Sequence, residues 1–287
     1  MSDNILFLIV FLSQIFLLSL YFPMKILGRM RYVRKTYPPS QYPKLYTKPI
    51  EYYEKEQRNY QIINQIIFVA GLMLMFAVWV WDFSSYGKLA RLLPIVFGMI
   101  QFLPVIRLEL SESSQFKLMR KASLRTTRKA ELRPRRLFDF ISPAMFGVAI
   151  FMYIAAIFLD LYWHQFNFHW GHDTFERAMF LTAGYFLFST IIVLNLHGKK
   201  RNPHETYEDR TRQIEFILKS QIYAGIAMSV IFTTVAAGDV FDMAPLEPSL
   251  MSLYFQSIAW ISIGSKLRTL RIENINFDVY KEDVSVT

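Results

Sequence analysis

Cysteine is absent from this 287-residue chain. Its absence excludes disulfides, thiolate nucleophiles and cysteine-ligated metals. Charge is also missing from the long apolar runs: no Asp, Glu, Lys, Arg or His falls near the middle of any of them. Coupled pumps place such groups at the bilayer midplane, so a proton- or sodium-coupled pump is disfavoured. Lys266 lies at the end of the last run, too shallow to be a buried Schiff-base lysine. The first run has only MSDN before it, with no basic lead and no small-residue cleavage site after it. A retained helix is therefore expected there, not a removed signal.

What the chain does contain is apolar surface. Hydrophobic residues make up 53% and aromatics 16%, yet the net charge is +9. A helix crossing hydrocarbon needs ~20 mostly apolar residues. Seven runs qualify by length or come near it: Ile5–Leu27, Ile62–Trp81, Leu92–Ile106, Ile141–Leu161, Met179–Leu196, Ile222–Gly238 and Leu250–Gly264. The third and seventh are short and carry polar residues. With the N-terminus outside and the C-terminus inside, every Lys and Arg except Lys88, Arg91 and Arg177 lies on the inner side. That asymmetry is what the positive-inside rule produces. The expected fold is all-α and polytopic, about seven transmembrane helices in a single transmembrane domain. Short loops suggest a bacterial inner membrane.

Sparse repeats suggest an organisation. The outward-running spans end in VWVWDF, AIFLDLY and AAGDVF, placing Asp82, Asp160 and Asp239 at near-equal intervals. PIEYYEKEQRNYQI from Pro49 shares an ordered set of residues with NPHETYEDRTRQI from Asn202. One lead helix with a Pro/Tyr-rich segment (1–44) and three hairpin modules (45–120, 121–198 and 199–287) are the expected internal repeat. The segment from Ser111 to Arg133 lacks Gly and Pro, and should extend the third span until Pro134 stops it. YPPSQYPKLYTKP (37–49) should lie extended in the headgroup layer, its prolines barring a helix.

Three constellations bear on chemistry. His204-Glu205 opens like a zincin motif, but position 208 is Glu where the second histidine belongs. Glu205, Glu208 and Asp209 instead suit the start of a helix, where acids complement the dipole. In WHQFNFHWGHDTFER, His164, His169, His172 and Asp173 lie close together. Imidazole and carboxylate suit a divalent transition metal when thiolate is lacking, although the interleaved aromatics equally describe an interfacial belt. Asp82, Asp160 and Asp239, with Asp242 nearby, would ring the outer mouth as a ligand-binding site. Arg91 and Arg177, at the starts of the returning spans, are their natural partners, as exposed pairs of small energetic value.

The basic face is the remaining candidate. Lys117, Arg120, Lys121, Arg125, Arg128, Lys129, Arg133, Arg135 and Arg136 crowd one segment. Such clusters attract anionic lipid headgroups or a membrane-protein partner; nothing points to nucleic acid. Gln14, Asn64, Gln65, Gln101, Asn195 and Gln256 should hydrogen-bond between helices. Gly225 and Ser229 should form a close helix contact, and Pro94 and Pro104 should break the ladder of the third span. These features predict a non-enzymatic membrane protein that binds an apolar or lipid-like ligand, as transporter or sensor, at its outer mouth. A partner subunit docking through the basic face is the alternative, and a membrane or metal-binding enzyme using the histidines is the second. No cofactor is expected beyond that optional metal.

Overall fold

The computed structural model describes residues 2–80, 88–122, 135–198, 202–241 and 243–282. The chain is an all-α membrane protein, and the described residues contain no strand. α1 (Ser2–Phe16) runs through a π-helical turn (Leu17–Tyr21) into α2 (Phe22–Thr36). α3 (Ile50–Val80) and α4 (Lys88–Ala122) follow, then α5 (Pro143–Trp163) and α6 (Asp173–His197). α7 (Tyr207–Val240) leads to α8 (Glu247–Ala259), which continues through a second π turn (Trp260–Gly264) into α9 (Ser265–Thr269). Six helical runs are long and apolar enough to cross a membrane. The α8–α9 run, the last of the seven expected from sequence, falls outside that set because polar residues such as Ser252, Gln256, Ser257 and Ser262 dilute its apolar character.

Local chemistry explains the boundaries. Ser142 caps α5 by accepting from the Met145 N–H at 3.2 Å, with Pro143 in the first turn. Thr206 caps α7: its Oγ1 accepts from Asp209 N–H at 3.1 Å and its hydroxyl donates to Asp209 Oδ2 at 2.7 Å. Glu208 and Asp209 thus fill the first turn of α7, as the helix dipole favours. α3 and α4 both outrun their apolar cores on the basic side. There they are tied by Tyr52 to Ser111 (3.3 Å) and by Arg107 to Glu56 (3.5 Å). Residues 111–122 are helical, as the lack of Gly and Pro predicts, and the remainder of that expected extension, 123–134, lies outside the described residues.

Two helices occupy the centre. In the most apolar stretches of the lead helix and of α7, 39% is buried, against 11% for α6. α7 packs against α5 and α6 on one side and α8 on another, while α8 also packs on α1 and α4. The outer faces of α3, α5 and α6 carry Met73, Trp79, Phe151 and Phe186, all strongly exposed. Such faces are what hydrocarbon covers.

Close helix approach is set by small residues. A β-carbon at Gly98 would stand 2.6 Å from the Phe255 ring, and one at Gly71 would stand 2.6 Å from the Phe97 ring. Gly225 and Ser229 form the expected contact. Tyr185 of α6 lies over Gly225, its hydroxyl 2.9 Å from Ser229 Oγ, and it donates to the Ala149 carbonyl at 3.1 Å. One phenol therefore pins α5, α6 and α7 together. Among the intramembrane amides, Gln14, Gln101 and Gln256 bond between helices. Asn64 and Asn195 do not: each donates to a carbonyl one turn back on its own helix. Their short side chains reach that carbonyl more readily than a neighbouring helix.

Candidate functional site

The acid-rich end holds a compact ionic cluster. Arg177, in the first turn of α6, forks onto Asp160 at the end of α5, with Nε to Oδ2 at 3.0 Å and Nη2 to Oδ1 at 2.8 Å. Its other amino group donates to Asp239 Oδ2 of α7 at 2.6 Å. The side chains of Arg177 and Asp160 are only 12% and 8% exposed, so the pair is buried, not the exposed pair expected from sequence. The reason is its position at the junction of three helices, with Trp163 and Phe241 in edge contact nearby. Asp160 and Asp239 thus come together, but around a cation of their own. Asp82, Asp242 and the Arg91 side chain lie outside the described residues.

The histidines join this cluster unequally. His164 Nδ1 lies 2.9 Å from the Asp160 carbonyl and 3.0 Å from Asp160 Oδ1, while Nε2 faces Arg177 Nη2 at 3.4 Å. The tautomer protonated at Nδ1 satisfies every contact, donating to Asp160 and accepting from Arg177. His172 Nδ1 caps α6 by accepting from Thr174 N–H at 3.3 Å. His169 Nδ1 donates to the Trp170 carbonyl at 3.1 Å. The three rings are near neighbours, with centroids 5.3 Å and 6.0 Å apart. Asp173 lies in the first turn of α6, where its charge acts on Arg177. Among the described residues, however, no group of three or more His, Asp or Glu is arranged to hold a metal ion. The ring nitrogens serve as helix caps and ionic links.

The opposite, basic end carries a cap that the sequence did not suggest. Tyr37 stacks on Phe277 with centroids 3.9 Å apart, and Tyr42 meets Tyr37 edge-on. Tyr42, Ile272, Phe277 and Tyr280 form a buried cluster, with Val33 and Leu45 packed against it. The Pro/Tyr-rich stretch therefore docks on the chain's own tail, and these two tyrosines are not spread in a headgroup layer. The prolines make a turn with Gln41 and Tyr42 N–H bonded to the Pro38 carbonyl, which turns the rings inward. Asn202 donates to the Tyr280 hydroxyl, and Asp209 Oδ2 accepts from Asn276 N–H at 3.2 Å. The stretch that resembled a metal motif is thus the receptor for the tail.

Burial pushes the Tyr280 phenol up to about 12 from its ordinary value of 10.0, aided by the negative charges of Glu205 and Asp209 and opposed by the Asn202 hydrogen bond. A raised phenol contributes stability below the unfolded value and loses it as pH rises through the folded one. The cap should therefore hold to about pH 10 and weaken between about 10 and 12. Phenolate absorbance during alkaline titration, taken as wild type minus Tyr280→Phe, should show this late-titrating group. A difference titrating near 10 would place Tyr280 in solvent.

Beside the cap, α4 presents a groove of about 560 Å³. Val105, Ile106, Leu110 and Phe116 supply its apolar wall, and Glu109, Lys117 and Arg120 its polar rim. Lys266 of α9 reaches Glu109 at 2.6 Å, which offsets that acid in the groove. Lys117, Arg120 and Lys121 are exposed on the same helix, as is Arg136 further along, with Arg135 half-buried. Arg125, Arg128, Lys129 and Arg133 lie outside the described residues.

These features define a class, the all-α multi-pass membrane proteins, with a closed ionic cluster at one end and a cationic groove at the other. No protein-family model, curated protein or solved structure matches this chain.

Proposed function

We propose that this protein binds anionic phospholipid on the flank of α4, with the basic end facing the cytoplasm. The observation that carries this reading is the groove itself. Val105, Ile106, Leu110 and Phe116 offer an acyl chain an apolar wall, and Lys117 and Arg120 follow Phe116 directly along the same helix. An anionic glycerophospholipid has that order of parts: chains in hydrocarbon, phosphate at the interface. Lys and Arg supply the matching charge, and the positive-inside bias supplies the orientation. The reading moves ligand recognition from the acid-rich end to the basic one. Asp160 and Asp239 already share Arg177, so they offer a ligand cation little uncompensated charge.

Each basic residue near an anionic surface is worth ~1 kcal/mol, so losing two costs ~2 kcal/mol, roughly a thirtyfold drop in affinity. Native mass spectrometry of the detergent-solubilised protein, titrated with phosphatidylglycerol and with phosphatidylcholine, reads this directly. Wild type should retain phosphatidylglycerol preferentially, and Lys117→Gln/Arg120→Gln should lose that preference. Equal retention of both lipids by wild type would refute the proposal. So would a double variant that still prefers phosphatidylglycerol.

A further inference from the structure

A second polar site lies in the middle of the bundle, away from both ends. Gln14 of α1, Ser19 of the first π turn and Gln101 of α4 are all buried, at 0%, 2% and 3% exposure. Gln14 Nε2 donates to Gln101 Oε1 at 2.9 Å and to the Pro94 carbonyl at 3.4 Å. Gln101 Nε2 donates in turn to Ser19 Oγ at 2.8 Å and to the Gln14 carbonyl at 3.5 Å. Both amides are thereby fixed in orientation. Flipping Gln14 would turn its oxygen toward two acceptors, and flipping Gln101 would turn its oxygen toward the Gln14 carbonyl.

That fixed orientation leaves one atom out. Gln14 Oε1 is buried and has no hydrogen-bond partner in the protein. Water from a bulk phase does not reach hydrocarbon depth, so an acceptor there needs a resident donor. The surroundings offer further polar sites for one molecule. Ser19 Oγ accepts from Gln101 and has its own hydrogen to give. Pro94 and Pro104 each lack the N–H that would bond one turn back in α4. The π turn at Leu17–Tyr21 interrupts the regular ladder of the facing helix. A buried water makes hydrogen bonds to otherwise unsatisfied groups, and Gln14 Oε1 and the Ser19 hydroxyl are two of these.

We infer that Gln14 Oε1 anchors an internal water between the lead helix, which carries a π turn, and α4, which carries two prolines. The water donates to Gln14 Oε1 and takes the Ser19 hydroxyl hydrogen. The site is independent of the lipid groove, since none of its residues lines that groove.

Radiolytic hydroxyl labelling of the intact protein in lipid nanodiscs tests this, because bound water generates radicals beside side chains that solvent does not reach. Phe11 and Phe22 flank Gln14 on the lead helix and are 0% and 1% exposed; Leu218, also 0% exposed, lies in the apolar cluster around α7 and serves as the dry control. The expected result is oxygen incorporation at Phe11 or Phe22 well above that at Leu218, falling to the control level in Gln14→Met. No excess labelling in wild type would overturn the inference, as would labelling undiminished in a folded Gln14→Met. Should that variant fail to fold, a density map of wild type resolving waters decides: a peak within hydrogen-bond reach of Gln14 Oε1 supports the site, and its absence rejects it.

Discussion

Replacing Arg177 by alanine should cost about 3–5 kcal/mol of stability, because it strands two carboxylates at a junction of three helices. Asp160 loses both arms of its fork and Asp239 its 2.6 Å donor. Asp160, with 8% of its side chain exposed, has little water to turn to. Thermal unfolding in mild detergent would measure the loss. Arg177→Lys should recover only part of it, since a single ammonium cannot fork onto Asp160 while also reaching Asp239. A loss below about 1 kcal/mol would mean that the cluster behaves as an exposed ion pair.

The second large effect is expected at the other end. Phe277→Ala removes the ring that stacks on Tyr37 at 3.9 Å and touches Tyr280 at 6.1 Å. Truncating a buried phenylalanine costs roughly 3–5 kcal/mol, here charged to the docking of the tail and not to the whole bundle. Limited proteolysis should then cut the segment 270–282 in the variant under conditions that spare wild type, while the melting of the bundle moves little. An equally protected tail in the variant would show that the polar contacts of Asn202 and Asp209 suffice to hold it.

The difference between these two sites shows what a linear reading can reach. Asp160 and Arg177 are seventeen positions apart and end adjacent antiparallel helices, so their meeting follows from the hairpin alone. Asp239 was legible as an acid at the same end, but its sharing of one guanidinium depended on α7 packing between α5 and α6. The burial of the pair depended on that packing too. The tail docking left no local trace. Tyr37 and Phe277 lie at opposite ends of the sequence, and neither carries a periodic pattern that names the other. The Pro/Tyr stretch accordingly read as an interfacial segment, which its composition fits equally well. Spans were legible because hydropathy is a local sum. Their polar extensions were less so: α3 begins at Ile50, twelve residues before its apolar run, and its polar first turns are held by α4 through Tyr52 and Glu56 and by α2 through Glu54 and Gln61. The seventh run shows the limit of the same signal, since its serines and Gln256 lower the apolar sum of a stretch that is nonetheless helical and packed on α1 and α4.

The contact between α1 and α8 also sets an order on assembly. Ser252 and Gln256 donate to the Val10 carbonyl at 3.2 Å and 3.1 Å, and Ser13 bonds Gln256 at 3.1 Å. Val10 and Ser13 on α1 thus wait for α8, far later in the chain, before these contacts can form. Until then Ser13 lacks its partner on α8, whereas Gln14 already has Gln101 and Pro94 of α4 to bond. A chain ending before residue 247 would therefore lack the seam that joins α1 to α8.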